Sequence, residues 1–228
     1  MIKAALFDLD GVVFETESQY TIFWGMIGRE YHPEMPDFAH RIKGQTLVQI
    51  YDKYFSDAQT FAHIEGFTSV AEEQAKITVR LDEYERNMAY NYVAGFEDFV
   101  KDLKKNGVKC AVVTSSNANK MSIVYERHPE FKTYFDKVLT SEDFAKSKPA
   151  PDCYLKGAAY FYAKPEECVG LEDSFNGLKA VRAAGEFALG LATTNSKESI
   201  EEYSDYVISN YIGFSFADLA RIFSVSRK

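Results

Sequence analysis

The sequence is poor in several features, and each shortage excludes a class of protein. Its 228 residues include only three cysteines, which lie far apart without the spacing of a metal site. Positive charge is also scarce: the formal net charge is -8 and no basic stripe runs along the chain, so we expect no nucleic-acid partner. No apolar run approaches the roughly 20 residues that span a bilayer, so we expect no membrane partner either.

The cysteines and the first residues predict the compartment. Two of the three cysteines lie in apolar, strand-like runs, which favours buried free thiols in a reducing environment. Residues 1–3 lead directly into an apolar run and lack the pattern of a signal peptide. We therefore expect a cytoplasmic protein, and we take a monomer as the default.

What the sequence does contain is typical of a globular protein. Hydrophobic residues make up 46% of the chain and charged residues 26%, and we find no internal repeat or low-complexity segment. A chain of 228 residues is long enough for one large domain or for a core with an insertion.

Six short apolar runs are bounded by turn residues, as buried strands are. After the second run, segments with helical spacing alternate with the strands, which predicts a mainly parallel sheet covered by helices on both faces. The runs are residues 4–14 (a strand followed by a turn), 108–113, 137–140, 168–171, 187–191 and 206–208.

Between the first two strands the pattern is helical throughout. Apolar residues at three- and four-residue spacing predict helices over residues 17–27, 37–42, 47–55 and 69–90, with Thr46 as a candidate N-cap. We therefore predict a helical domain over residues 15–92, inserted into a core formed by residues 1–14 and 93–228.

Polar clusters follow several of the predicted strands. Taken singly, each has an ordinary explanation: a solvated strand end, a helix cap or a surface lysine. Carboxyl ends of parallel strands share one edge of the sheet, however, and ligands bind at that edge. The clusters are Asp8 with Asp10, Thr114 with Ser115 and Ser116, Lys148 in a proline-rich loop, and Glu172 with Asp173.

Together these side chains supply what phosphoryl transfer requires. The reaction needs a nucleophile, a hard cation, donors for the phosphate oxygens and a fixed positive charge. Asp8 and Asp173 are candidate Mg²⁺ ligands, because Mg²⁺ prefers oxygen. Asp10 is a candidate proton carrier. Donors and charge come from Thr114, the Ser115 amide and Lys148.

Four segments in this order resemble the motifs of the haloacid dehalogenase-like hydrolase superfamily. They are FDLDGVVFETE, VVTSS, KSKPAPD and GLEDSFNG. The resemblance covers nearly the whole chain. It implies an α/β fold, with a Rossmann-like parallel sheet core in three layers (α/β/α) and an inserted helical cap domain. It also implies an Mg²⁺-dependent reaction through an aspartyl phosphate.

The resemblance implies a role for each motif residue. Asp8 becomes the nucleophile and an Mg²⁺ ligand, and Asp10 becomes the general acid/base and binds the metal through its carbonyl oxygen. The remaining implied roles are phosphoryl binding by Thr114 and Ser115, charge neutralisation by Lys148, and Mg²⁺ binding by Asp173 with Glu172 beside it.

The sequence is most similar to the β-phosphoglucomutase-like branch, which also contains small-cap phosphatases. It departs from the mutases at three places: Tyr20 stands where they have a histidine, Leu47 where an arginine grips a second phosphate, and Asn117-Ala118 where a lysine and an asparagine follow the second motif. Asn119 is a candidate to replace part of the last pair. We therefore favour hydrolysis of a small phosphorylated metabolite, with sugar phosphates first; the alternatives are a β-phosphoglucomutase-type phosphomutase and pyrophosphate hydrolysis.

Two other classes are disfavoured. Asp10 argues against dehalogenation, because the dehalogenases do without Mg²⁺ and lack an acidic partner two residues after the nucleophile. A binding module that has lost activity would be expected to lose part of the site, yet this chain keeps all of it. The retained residues are Asp8, Asp10, Lys148 and Asp173.

The insertion should select the substrate. Lys43, in a loop before Gly44, is the first candidate contact, with a solvated helix-end lysine as the alternative. Tyr20 is a second candidate, although its spacing equally suits the core of the insertion. Thr16, near the hinge beside Asp10, and Asn117 complete the candidate set.

Overall fold

The computed structural model describes residues 1–226, and at its centre lies a six-stranded sheet. All neighbouring strands are parallel, in the order β3-β2-β1-β4-β5-β6. The predicted α/β architecture is therefore confirmed. The strands are β1 (Ala4–Phe7), β2 (Lys109–Val113), β3 (Lys137–Leu139), β4 (Cys168–Glu172), β5 (Phe187–Leu191) and β6 (Tyr206–Ile208).

The first strand shows why the sheet is covered on both sides. All four residues of β1 are completely buried. Ala5 and Phe7 belong to one hydrophobic cluster, and Ala4 and Leu6 belong to another. Successive side chains of a strand point to opposite faces, so each face of the sheet has its own apolar core.

Four α-helices and one 3₁₀ turn lie between β1 and the helix that precedes β2. They pack around a third hydrophobic cluster, which includes Phe23, Trp24, Phe38 and Phe55. Thr46 caps the third of them: its side chain accepts from the Gln49 amide, as predicted. These helices are α1 (Glu17–Tyr31), α2 (Phe38–Arg41), α3 (Leu47–Tyr54) and α4 (Val70–Asn87).

The remaining helices cover the sheet. The cluster around Phe7 includes side chains of α5 (Phe96–Lys105), α6 (Ala118–Arg127), α7 (Phe131–Tyr134) and α11 (Phe216–Ser226). The cluster around Leu6 includes side chains of α8 (Asp152–Tyr160), α9 (Phe175–Ala184) and α10 (Lys197–Ile200). The result is three layers, helices on sheet on helices, as expected.

The structure corrects several predicted bounds. Helix α4 is shorter at both ends than the predicted 69–90, because Ser69 is its N-cap and Met88 is already extended. Helix α10 is short, and a 3₁₀ turn at Glu201–Tyr203 follows it directly. We did not predict α7 or α11. Strand β1 ends at Phe7, so Asp10 lies in the turn after the strand. The turn, and not the alternation of side chains along a strand, places Asp10 at the site.

Two expectations from composition can be compared with the structure. Cys110, Cys153 and Cys168 are free and buried, as expected. Burial raises the pKa of each of these thiols to about 12, so they are poor nucleophiles at neutral pH. Among residues 1–226, no helix combines the length and the apolar character needed to cross a membrane.

Candidate active site

The strand order brings the polar clusters together. Strand β1 lies between β2 and β4, so the carboxyl ends of these three strands are neighbours. Asp8 follows β1, Thr114 follows β2, and Glu172 is the last residue of β4. The predicted edge of the sheet is thus the place where the motif residues meet.

Lys148 reaches this edge from the loop before α8. Lys148 is only 1% exposed, and its Nζ lies 2.7 Å from Asp8 Oδ1 and 2.5 Å from Glu172 Oε1. It also donates to the Val113 carbonyl oxygen at 3.1 Å. Burial alone would lower the pKa of this ammonium group, but the charges of Asp8 and Glu172 outweigh burial and keep it above its usual value.

The surroundings of Asp8 change the pKa of its carboxyl group. Burial raises its pKa to about 7, the Lys148 charge opposes that rise, and the charges of Glu172 and Asp10 add to it. A cation bound beside the carboxylate would favour the ionised form, which is the nucleophilic one.

Three carboxylates converge beside Lys148. One oxygen from each of Asp8, Glu172 and Asp173 lies within 4.8 Å of the others. Asp173 Oδ2 is buried and makes no hydrogen bond of good geometry within the part of the chain that the structure describes. Burial, and then the charges of Glu17 and Glu172, raise the pKa of Asp173 well above its usual value. Such a buried set of oxygens with an unpaired acceptor suits a hard cation such as Mg²⁺.

Gly11 makes room for this arrangement. Its φ is +76°, and a Cβ atom at this position would lie 1.9 Å from Asp173 Oδ2. Only glycine adopts such a backbone without strain and leaves that space open. The turn after β1 can therefore approach the carboxylate cluster closely.

Thr114 and Ser115 lie where phosphate oxygens would need donors. Thr114 is 1% exposed, and its Oγ1 accepts from the Ser116 amide at 3.0 Å. Ser115 Oγ is buried and has no hydrogen-bond partner among residues 1–226. Asn117 then caps α6, accepting from the Lys120 amide at 2.9 Å. An unpaired hydroxyl beside a helix N-terminus is a suitable anion contact.

The structure adds a residue that the sequence analysis missed, Lys120. It is 1% exposed, and its Nζ lies 2.5 Å from each carboxylate oxygen of Asp10. A sequence signal was available: Lys120 lies one turn before Val124, on the buried side of α6 with Ile123. A lysine on the apolar side of a helix needs a buried partner.

Two hydroxyl groups complete the surroundings of Asp10. Ser116 Oγ donates to Asp10 Oδ2 at 3.1 Å, and Thr16 Oγ1 donates to Asp10 Oδ1. Thr16 is completely buried and is not among the residues that line the cavity described next. The structure thus puts Thr16 beside Asp10 rather than on the substrate side.

A cavity of about 880 Å³ lies between this edge and the insertion. Asp8, Asp10, Thr114, Ser115 and Lys148 line its core side. From the insertion come candidate contacts and further polar or aromatic side chains: Glu17, Tyr20, Trp24, Lys43, Gln45, Leu47 and Gln49. Asn117 also lines it.

Lys43 and Tyr20 are both tied to acidic neighbours. Lys43 Nζ lies 3.8 Å from Glu17 Oε2, and Tyr20 donates to Glu85 Oε1 at 2.6 Å. Burial, followed by the charge of Asp10, raises the pKa of Glu17 to about 7. Both candidate contacts are therefore at the cavity, but neither presents an unpaired polar group.

Hydrogen bonds join the insertion to the core around the cavity. Asn176 Nδ2 donates to the Lys43 carbonyl oxygen at 3.2 Å, next to the Glu172 motif. Asn119 Nδ2 donates to Asp82 Oδ1 at 2.9 Å and does not line the cavity. Asn119 therefore does not replace the missing pair in the site; it connects α6 to α4.

Comparisons with known proteins identify the family. The profile of the haloacid dehalogenase-like hydrolase family matches residues 2–185. Beta-phosphoglucomutase of Bacillus subtilis is 28% identical over 198 residues, 83% of this chain and 83% of that protein. Probable pseudouridine-5'-phosphatase of Drosophila melanogaster is 30% identical over 198 residues, 81% of this chain and 79% of that protein.

Two further comparisons concern fold and length. The crystal structure of a hydrolase of family IA, variant 3, from Entamoeba histolytica superposes with a TM-score of 0.77 at 19% identity, covering 98% of this chain and 100% of that one. Protein SUPPRESSOR OF QUENCHING 1 of Arabidopsis thaliana is 26% identical over 93% of this chain, which spans only 20% of that protein. With a family profile matched over most of its length, the chain belongs to the haloacid dehalogenase-like hydrolases.

Proposed function

We propose that this protein is an Mg²⁺-dependent phosphatase that hydrolyses a small phosphomonoester through a phosphorylated Asp8. Sugar phosphates are the favoured substrate class. One observation carries the proposal above all: Asp8 Oδ1 lies 2.7 Å from a buried Lys148, within a cluster of carboxylates on the core side of the cavity.

Each step uses residues of this chain. Asp8 attacks phosphorus while the bond to the leaving oxygen breaks, and Asp10, which enters this step protonated, gives that oxygen its proton and becomes a carboxylate. A water molecule then attacks phosphorus, Asp10 takes its proton, and the bond to Asp8 breaks to release phosphate. Thr114 and Ser115 donate to the phosphoryl oxygens, and Lys148 offsets their charge.

Asp8, Asp173 and the Asp10 carbonyl oxygen would hold Mg²⁺, with Glu172 beside them. When bound, the cation offsets the negative charge of the phosphoryl oxygens and of the nucleophile. The buried, unpaired Asp173 Oδ2 supports this assignment.

The insertion acts as a cap in this proposal. We assign residues 15–92 to the cap and residues 1–14 and 93–228 to the catalytic core. The separate hydrophobic cluster around Phe23, Phe38 and Phe55 supports the division. Bulk water kept out of the cavity would strengthen every charge interaction at Asp8. We also propose that the enzyme is cytoplasmic and monomeric. Size-exclusion chromatography with light scattering tests the monomeric state.

Hydrolysis is preferred over transfer back to the substrate. Leu47 lines the cavity at the position where the mutases use an arginine, and Lys43 is paired with Glu17. A second phosphate group therefore lacks a guanidinium partner. Phosphomutase activity is the second candidate, because the chain is 28% identical to beta-phosphoglucomutase of Bacillus subtilis. Pyrophosphate hydrolysis is the third candidate.

A substrate screen tests these alternatives. The purified protein is incubated with Mg²⁺ and sugar phosphates, nucleotides or pyrophosphate, and released phosphate is measured beside isomerisation of β-glucose 1-phosphate. We expect Mg²⁺-dependent release from sugar monophosphates and none from a folded Asp8→Asn variant. Isomerisation with negligible phosphate release would favour the mutase, and an active Asp8→Asn variant would overturn the nucleophile.

A further inference from the structure

Lys120 is a buried ammonium group whose surroundings explain why it is there. An unpaired buried charge would cost several kcal/mol, so its partners determine its position. Its closest partner is Asp10, with both carboxylate oxygens 2.5 Å from Nζ. The Tyr20 ring centroid lies 4.5 Å from the same Nζ, within the range of a cation–π contact.

The contacts leave Asp10 little freedom. Lys120 holds both oxygens, Thr16 donates to one and Ser116 to the other. A carboxylate held from several directions keeps one rotamer, which a group that transfers protons needs, because a small displacement slows the transfer strongly.

Lys120 is itself held from behind. The Tyr20 ring covers it, and Tyr20 donates to Glu85 Oε1 at 2.6 Å. Burial raises the pKa of Glu85, and the Lys120 charge opposes that rise, so the two groups attract each other. The backbone amide of Lys120 is bonded to Asn117. The ammonium position is thus determined by the residues around it.

We infer that Lys120 is a positioning residue for Asp10: it holds the Asp10 carboxylate in the orientation from which protons reach the leaving oxygen and leave the attacking water. The inference rests on the proposed function, because it concerns the proton carrier of that reaction. Lys120 is distinct from Lys148, which contacts Asp8 and Glu172.

The test separates the two steps by the chemistry of the leaving group. A sugar alkoxide needs a proton to leave, whereas p-nitrophenolate is a stable anion. In Lys120→Met, phosphorylation of Asp8 by a sugar phosphate should slow about 100-fold, the scale of general acid catalysis, and phosphorylation by p-nitrophenyl phosphate should change less than about 3-fold. Hydrolysis of the phosphoenzyme should slow as well. Stopped-flow measurements should then show a burst of p-nitrophenol before a slow steady state.

Controls separate positioning from a loss of structure. Lys109→Met removes a largely exposed lysine whose Nζ lies 3.3 Å from Asp136 Oδ1, and it should behave as the unaltered enzyme. If Lys120→Met does not fold, as judged by circular dichroism, Lys120→Gln replaces it and should show the same selective loss. The Mg²⁺ affinity measured by calorimetry should stay within about 3-fold, because Lys120 contacts the Asp10 carboxylate and not the Asp10 carbonyl oxygen that we assign to the cation.

The outcomes distinguish the two proposals. Equal slowing with both substrates, or no slowing at all, overturns the positioning role of Lys120. An unaltered enzyme that releases phosphate from none of the substrates overturns the proposed function instead.

Discussion

Asp8 and Asp10 are two residues apart, yet different parts of the molecule hold them. The ammonium group of Lys148, the partner of Asp8, lies against Glu172, the Val113 carbonyl oxygen and the Tyr154 ring, all at the sheet or the helix packed on it. Asp10 has contacts from both sides of the cavity.

The partner of Asp10, Lys120, lies on α6 of the core, but the Tyr20 ring that covers it belongs to α1 of the insertion. Thr16, just before α1, also donates to Asp10. The groups that contact Asp8 and the Lys148 ammonium group therefore come from the core, although Gln49 of the insertion donates to the Lys148 carbonyl oxygen at 3.5 Å. The surroundings of Asp10 include Thr16 and Tyr20, from the junction with the insertion. Substitutions in the insertion should affect proton transfer more than attack by Asp8.

Removing the lysine of Asp8 should have the largest effect. Lys148→Met leaves two carboxylates, the buried Glu172 and the largely buried Asp8, without their cation. Turnover should fall by about 10³-fold or more, and the free energy of unfolding should fall by about 3–5 kcal/mol, as for other broken buried pairs. Steady-state kinetics and urea unfolding measure both. Lys156→Met, which removes a half-exposed lysine, is the matched control. If Lys148→Met unfolds at the same urea concentration as the control, Lys148 does not stabilise the buried carboxylates as we propose.

Asp173→Asn tests the surroundings of Asp8 through the proposed Mg²⁺ site. Loss of a direct carboxylate ligand should weaken Mg²⁺ binding by at least about 100-fold, because even changes in residues behind the ligands cost 10–100-fold. Isothermal titration with Mg²⁺ measures this without substrate. Asn195→Ala removes a donor to the Asp173 carbonyl oxygen, 2.9 Å away, and should have a smaller effect. Unchanged Mg²⁺ affinity in Asp173→Asn would remove this residue from the site.

Gly177→Ala tests how tightly the core side is packed. A Cβ atom at residue 177 would lie 1.9 Å from the carboxyl carbon of Glu172, so this carboxylate, whose Oε1 lies 2.5 Å from Lys148 Nζ, must shift. We expect destabilisation of about 1–3 kcal/mol, the usual result of overpacking, and a loss of turnover. Gly25→Ala, on α1, meets only the end of Arg29 at 3.6 Å and should be stabilising by about 0.5–1 kcal/mol. Thermal unfolding compares them.

Tyr20→Phe should have the smallest effect, and it should be confined to the Asp10 side. The variant keeps the ring over Lys120 but loses the hydrogen bond to Glu85. We expect turnover of sugar phosphates to fall about 3–10-fold, the value of one ordinary hydrogen bond, with no change in Mg²⁺ affinity. The control is Tyr84→Phe, which loses a hydrogen bond to the carbonyl oxygen of Gln19, a residue on the same helix as Tyr20. Slower Asp8 phosphorylation by p-nitrophenyl phosphate would show that the two sides are not separate.

The predictable part of the site lies where local sequence and sheet geometry act together. Polar residues directly after apolar runs were identified as strand ends, and the parallel order brings strand ends to one edge. Asp8, Thr114, Glu172 and Asp173 meet there because hydrogen bonding fixes the register of β1 with β2 and β4. Lys148 was a candidate because its proline-rich loop follows the third predicted strand. A loop lysine has no register, however, so sheet geometry could not predict its contact with Asp8.

The unpredicted part depends on how helices rotate and pack. Lys120 is one of several lysines in helical segments, and only the packing of α6 turns its side chain towards Asp10. Asn119, its neighbour, points instead to Asp82. One residue along a helix changes direction by about 100°, so an error of one position in helix phase reverses such an assignment.

The sequence by itself determined the family, the order of strands and helices, and the motif residues at the edge of the sheet, because these follow from periodicity and from local patterns. Only the tertiary structure decided how the pair of aspartates is divided between two lysines, one from a loop and one from α6. It also decided that Tyr20, Lys43 and Glu17 meet at the same cavity as Asp8. These contacts join residues distant in the chain, so their distances depend on the packing of the insertion against the core.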